Sequence, residues 1–188
     1  MANRDNPMGF RPARGIGSNV VESLFPVDVA NGTNFFVGDV ADLDPNGGVI
    51  PAAADAGVSA AGVVTALYDT NMIPVGAPGS AVTTKYLPLS TRGYALVALA
   101  IPGTVFIAQD DAAAALAEED IGQTTDHVAG AGSTTTAVSN HELNGTVGGL
   151  QFRILGLVNK PGNAWGSNAE VYVTFNESAF GVSAAAAV

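Results

Sequence analysis

The sequence predicts an all-β protein, either a β-sandwich or a β-barrel, with an extended N-terminal arm and one short helix. The 188 residues include 23 glycines and 10 prolines, which interrupt the chain at short intervals. Between these interruptions lie short runs rich in Val, Thr, Tyr and Phe, the composition of strands. In the run 170–175 every second residue is apolar, as expected for a sheet with one buried face.

The first element, residues 1–20, is predicted to be an extended arm. Its first fourteen residues carry a net charge of +2, whereas the rest of the chain carries −12. Prolines and glycines interrupt this segment, which has only two large apolar anchors, Met8 and Phe10, so that neither a helical nor a strand period develops. We expect this arm to lie on another surface through four residues: Arg4, Phe10, Arg11 and Arg14.

The second element, residues 21–180, is predicted to be a β-rich body. Turns at Asn31-Gly32, Asn46-Gly47 and Asn144-Gly145 pair residues that tolerate positive φ, as tight hairpins require. The predicted strands are 24–29, 34–40, 61–68, 81–87, 94–100, 104–108, 134–139, 151–158 and 170–175.

One helix is predicted over 110–122, because two aspartates can cap it, 112–117 is a good helix former, and Gly122 can end it. The stretch 122–149 is rich in Gly, Thr, Ser and Asn, and we expect an exposed loop with one weak strand. Residues 181–188 are predicted to form a flexible tail.

Composition indicates what kind of protein this is. It is 47% hydrophobic and only 13% charged, which leaves little polar material to cover a monomer and favours self-association, most simply a homotrimer. A dense β core with an alanine-rich surface is the alternative. There is no cysteine, so disulfides and thiolate metal sites are excluded.

Several destinations and partners are not expected from the sequence. A net charge of −10 argues against nucleic-acid binding. The N-terminus lacks the apolar stretch of a signal peptide, and no run is long enough to span a membrane. We expect the chain to be made in a cytosol and to have no membrane partner.

The run DLDPNG from residue 42 matches the first half of a calcium loop, with oxygen ligands at Asp42, Asp44 and Asn46. The twelfth position is Ala53 instead of the required glutamate, so an EF-hand is excluded. A hairpin turn is the simplest interpretation. A weak cation site, aided by Asp39, stays open as the alternative.

No residue pattern points to catalysis. His127 and His141 are predicted to be solvated loop histidines, with a metal pair or a catalytic base as the alternative. Five acids of the predicted helix are expected to form a solvated face: Asp110, Asp111, Glu118, Glu119 and Asp120. The sequence therefore predicts a protein that is not an enzyme and needs no cofactor or metal.

Four segments together resemble the capsid decoration, or cement, proteins of tailed bacteriophages. They are NRDNPMGF from residue 3, FVGDV from residue 36, GVV from residue 62 and ILGLV from residue 154. The resemblance implies a jelly-roll-like or β-tulip-like knob, commonly trimeric, on the outer surface of the virion head. Its partner would be the major capsid protein, whose neighbouring subunits it would clamp.

A phage tail, fibre or receptor-binding module is the alternative. Such a module would use the stretch 122–149 to recognise a host glycan, with Trp165 stacking on a sugar ring. A single tryptophan more often covers a core.

Overall fold

The computed structural model describes residues 3–15, 19–27, 32–54 and 60–180. The predicted tail 181–188 lies outside these residues, as do arm residues 1–2 and 16–18, positions 28–29 of the first predicted strand, and Asn31 of a predicted turn. The described residues form eleven strands: β1 (Arg11–Arg14), β2 (Glu22–Val27), β3 (Val40–Leu43), β4 (Val49–Pro51), β5 (Ala60–Tyr68), β6 (Gly93–Leu99), β7 (Val105–Gln109), β8 (Thr124–Ser133), β9 (Val138–Val147), β10 (Phe152–Leu157) and β11 (Glu170–Phe175).

The strands form two units, and the predicted all-β class is confirmed. Six strands make a sheet in the order β1-β7-β11-β10-β8-β9, in which neighbours are antiparallel. The other five close into a barrel in the order β2-β4-β3-β5-β6. Within the barrel only the contact between β2 and β4 is parallel.

Strand β5 joins the two units because both of its faces are buried. Ala60 and Val63 pack against the six-stranded sheet, in a core that also contains Phe106 and Phe152. Ala61 and Val64 point into the barrel interior. A strand covered on both faces needs a continuous apolar run in place of alternation, and the sequence AAGVV has one.

Most predicted strands are confirmed within a few residues, but several predictions are wrong. Segments 34–40 and 81–87 meet only through an isolated bridge, in which Phe35 and Leu87 exchange backbone hydrogen bonds of 2.8 and 2.9 Å. The predicted loop 122–149 is a long hairpin of β8 and β9. The predicted turn at Asn144-Gly145 lies inside β9.

The predicted helix over 110–122 is also wrong, since the described residues contain one 3-10 turn there, Glu118–Asp120. Ala112 adopts a positive φ of 61°, which a right-handed helix does not allow. The Asp110 carboxylate accepts a hydrogen bond from the Ala112 N–H at 3.1 Å and holds this turn in place.

Residues 3–15 of the predicted arm are extended but packed against the body. Strand β1 pairs with β7, with Arg11 opposite Ile107. Ahead of it, the Gln109 side chain donates to the Arg4 carbonyl at 2.8 Å and accepts from the Asn6 N–H at 3.0 Å. The arm is thus an edge of the six-stranded sheet.

Candidate functional site

The arm, the barrel and the β8–β9 hairpin meet at one buried junction. The Phe10 N–H donates to the Gly38 carbonyl at 2.8 Å, and the Gly38 N–H donates to the Val64 carbonyl at 2.8 Å. Gly9 has a φ of 67°, and a Cβ there would lie 2.5 Å from the Gly38 oxygen. Segments 3–10, 36–40 and 62–64 therefore meet here, through Gly9, Gly38 and Val64.

Asp39 lies at the centre of the junction and is only 2% exposed. Its carboxyl accepts hydrogen bonds from the Ser139 hydroxyl at 2.6 Å and from the Phe36 N–H at 2.8 Å. Burial raises the pKa of Asp39 from 3.8 to about 7, against the opposing effect of these two bonds. At neutral pH this carboxyl is therefore a mixture of protonated and ionised forms.

His141 faces Asp39 across the junction. Its Nδ1 accepts a hydrogen bond from the Val40 N–H at 3.2 Å, so the proton of the neutral ring sits on Nε2. Burial, and secondarily the neighbouring His127, lowers the pKa of His141 to about 3. Its Nε2 lies 3.7 Å from Asp39 Oδ1. Because the imidazole is neutral whenever Asp39 is ionised, this contact is not an ion pair.

His127 stacks on His141 with ring centroids 5.2 Å apart. Its Nδ1 lies 2.6 Å from Gln151 Oε1, an oxygen that only accepts, so Nδ1 carries the proton. Burial lowers the pKa of His127 as well. The two histidines are a neutral, buried pair, and the prediction of solvated loop histidines is wrong.

Strand β9 explains why the histidines escape sequence analysis. Its buried face presents Ser139, His141, Leu143 and Gly145, of which only Leu143 is a large apolar residue. Hydrophobic alternation, the main signal for a half-buried strand, is therefore weak. The register of the hairpin, with Ala129 opposite His141, is needed to bring His141 onto His127.

The junction does not have the geometry of a nucleophile with its base. The Ser139 hydroxyl donates to the Asp39 carboxyl, and its oxygen accepts from the His141 backbone N–H at 3.1 Å. A catalytic serine instead donates to an imidazole. What the arrangement offers is a buried acceptor and a buried donor beside a cavity, since both Asp39 and His141 line an open space of about 460 Å³.

The four residues predicted to dock the arm are not equivalent. Arg4 and Arg14 are exposed. Arg11 pairs with Glu170 at 3.0 Å, and Lys160 also contacts this carboxylate. Phe10 is 1% exposed and stacks on Phe152 at 4.7 Å, so it belongs to the core of this chain.

The predicted turn at Asp42–Asn46 connects β3 to β4. The Asp44 carboxylate accepts from the Asn46 N–H at 2.8 Å, and the Asp42 carboxylate accepts from the Leu43 N–H at 3.0 Å. The side chains thus bond the turn itself. Nowhere in residues 3–15, 19–27, 32–54 and 60–180 do three or more His, Cys, Asp or Glu side chains form a group that could hold a metal ion.

The acids predicted to form a solvated helical face do not do so together. Asp110 is completely buried, and burial raises its pKa to about 6. Its neighbour Glu142 has a pKa raised to about 7 by partial burial and by the nearby charges of Asp5, Asp111 and Asp110. An acidic residue of the arm therefore faces acidic residues of the body.

Trp165 is partly buried against the core that contains Phe152. This is the position of a residue that covers a core. In the part of the chain that the structure describes, no helix is long and apolar enough to cross a bilayer. A scan against known protein families, a search of curated proteins and a search of solved structures each find no match.

Proposed function

We propose that this chain is a capsid decoration, or cement, protein: a structural protein that binds the outside of a tailed-phage head and strengthens contacts between major capsid subunits. The observation that carries the proposal is the basic edge strand β1. It stands at one end of the sheet order and pairs only with β7 among the described strands. The four segments that resemble decoration proteins support the same function.

An edge strand offers unpaired backbone groups to another chain. Addition of a foreign strand to such an edge is a common mode of protein recognition, in which backbone hydrogen bonds provide affinity. Pro12 lacks an N–H, so an added strand would bond to its neighbours in β1. A capsid subunit with an extended segment on its outer surface is a partner of the required shape.

The charge of this edge adds specificity. Arg4 and Arg14 are exposed, and no ion pair to either occurs within the described part of the chain. They belong to a segment of net charge +2 on a chain of net charge −10. An acidic capsid surface would attract this edge and repel the rest of the protein, which fixes the orientation of docking.

The buried state of Phe10 changes which residues the proposal depends on. Phe10 packs the arm against the body of the same chain, and Arg11 forms an ion pair with Glu170 of that body. Arg4 and Arg14 are thus the docking residues we propose. Each contact is weak, but many copies on one shell bind neighbouring subunits at high effective concentration.

A binding assay with undecorated heads of the encoding phage tests the function. Wild-type protein should cosediment with expanded heads, and electron microscopy should place it on their outer surface. The double variant Arg4→Ala/Arg14→Ala should bind about tenfold more weakly at low salt, since an exposed ion pair contributes up to about 1 kcal/mol. The loss should shrink as salt rises, because the charges become screened.

Lys85→Ala/Arg92→Ala is the matched control. It also removes two exposed positive charges, but from the loops around the barrel. We expect it to bind like the wild type. Equal weakening by both double variants would show that net charge, rather than the β1 edge, controls docking. Failure of the wild-type protein to bind heads would refute the proposed function.

A further inference from the structure

A cavity of about 460 Å³ opens between the β8–β9 hairpin and the loops that flank β3 and β4. Most of its described lining is apolar and includes Phe36, Ala52, Leu89 and Ala129. Leu89 is 53% exposed. A space of this size with apolar walls and few polar groups is typical of a small-molecule site.

Two polar side chains of the junction line this cavity: Asp39 and His141. His141 Nδ1 already accepts from Val40, so its Nε2–H is the donor that is left. The nearest carboxyl oxygen, Asp39 Oδ1, is 3.7 Å from Nε2, too far for a direct hydrogen bond. Asp39 Oδ1 receives the Ser139 hydroxyl and has a second lone pair for another donor.

One oxygen atom that both accepts and donates would satisfy this pair. Placed about 2.8 Å from each group, it would accept from His141 Nε2–H and donate to Asp39 Oδ1 across the gap. A hydroxyl group can do both. An ammonium group has no lone pair for His141, and an ether or ketone has no hydrogen for the ionised Asp39 carboxylate, the form that predominates above pH 7.

The charge of the cavity lining further limits the chemical class of the ligand. The described lining contains Asp39 as its one acid and no lysine or arginine. A buried anionic ligand would therefore lack a counter-charge. Apolar walls, in turn, disfavour a molecule with many polar groups.

We propose that this cavity binds a small, neutral and mainly apolar molecule through a single hydroxyl group, which bridges His141 Nε2 and Asp39 Oδ1. The site is separate from the β1 edge, so the proposal does not depend on capsid binding. Phenol is a suitable probe because it combines one hydroxyl with one apolar ring.

Titration of the full-length wild-type protein by NMR at about pH 8.5, where Asp39 is ionised, tests the site. Phenol should shift the resonances of His141 and of the cavity wall at Ala129. Toluene, which lacks the hydroxyl, and anisole, which can accept but not donate, should each bind at least tenfold more weakly. Equal affinity for all three, or phenol shifts confined to another part of the protein, would overturn the proposal.

A cavity-filling variant provides the second test. Ala129 lies opposite His141 in the hairpin and lines the cavity, so Ala129→Leu would place three more carbon atoms in it. Phenol binding should be lost. Ala115→Leu makes the same change at an exposed position outside the cavity and should leave binding intact. Unchanged phenol affinity in a folded Ala129→Leu protein would refute the site.

Discussion

Asp39 and His141 show at the residue scale how burial changes two pKa values in opposite directions. Burial raises the pKa of Asp39 from 3.8 to about 7. The neutral carboxyl therefore contributes fully to the unfolding free energy below about pH 4, and this contribution is lost as the pH rises through about 7. Burial lowers the pKa of His141 from 6.5 to about 3. The neutral imidazole therefore contributes fully to the unfolding free energy above pH 6.5, and this contribution is lost as the pH falls through about 3. The pair is therefore least charged in weakly acidic solution.

Direct titration of both groups checks this assignment. We expect the ring resonances of His141 to stay those of a neutral imidazole from pH 8 down to pH 5, with the proton on Nε2. The Asp39 carboxyl carbon should titrate near pH 7, far above an ordinary aspartate. A His141 midpoint near 6.5 would show that the imidazole is solvated and that the junction is open.

Glu142 provides a second prediction, because its pKa is raised to about 7 by partial burial and by Asp5, Asp111 and Asp110. Ionisation of this carboxyl therefore destabilises the folded protein as the pH rises through 7. Glu142→Gln should raise the unfolding free energy at pH 8 by about 0.5–1 kcal/mol, a modest value because water screens a half-buried group. At pH 4.5 the variant and the wild type should differ little. A gain of the same size at both pH values would contradict the electrostatic cause.

At the scale of elements, sequence patterns predict a strand correctly where one of its faces is buried. They predict the wrong element where side chains form hydrogen bonds to backbone groups and hold an irregular turn in place. Strand β11 is predicted to the residue because Val171, Val173 and Phe175 alternate with half-buried residues. The predicted helix after β7 is absent because Asp110 bonds the backbone of Ala112 and of Asn168, a residue far away in sequence. Such long-range contacts leave no local pattern.

The arm shows the same limit. Its composition predicts an extended segment, which is what the structure has between residues 3 and 15. Composition does not reveal that Gly9 fits against Gly38, or that Phe10 completes a core formed by residues distant in sequence, from Val40 to Phe175. The pairing of two glycines at a close backbone contact becomes visible only in three dimensions.

Gly9→Ala tests whether this contact holds the arm. The substitution forces a side chain onto a residue with a φ of 67° and places its Cβ 2.5 Å from the Gly38 oxygen and 2.7 Å from Ser139 Cβ. We expect a loss of at least about 2 kcal/mol in the unfolding free energy, measured by urea denaturation. Hydrogen exchange of the β1 and β7 amides should also accelerate.

Gly122→Ala is the control for Gly9→Ala. Gly122 also has a positive φ, 89°, but a Cβ there meets nothing within 4 Å. The Gly122→Ala substitution should lower the unfolding free energy by only about 1–2 kcal/mol, the cost of a positive φ at alanine, and should leave hydrogen exchange of the β1 amides unchanged. Equal effects of the two substitutions would mean that the close contact with Gly38 does not hold the arm.

On the scale of the whole molecule, one outer surface of the barrel exposes apolar side chains. Strands β2 and β6 pair so that Leu24 lies opposite Leu96 and Pro26 lies opposite Tyr94. Leu24 and Pro26 are exposed, and Leu24 retains 40% of its surface. This surface is where the self-association expected from the low charge content would bury apolar side chains.

Leu24→Glu should therefore weaken self-association, measured as the concentration dependence of mass by light scattering or sedimentation. Burial of a leucine contributes about 1.5–3 kcal/mol, so a glutamate there should weaken each subunit contact by a factor of about 10 to 100. Ile121→Glu makes the same kind of change at a side chain that is 46% exposed in the turn before β8, and it should leave the mass unchanged. A wild-type protein that is monomeric at all concentrations would remove this surface as an interface. The capsid binding that we propose would then depend on single copies, each docked through the β1 edge.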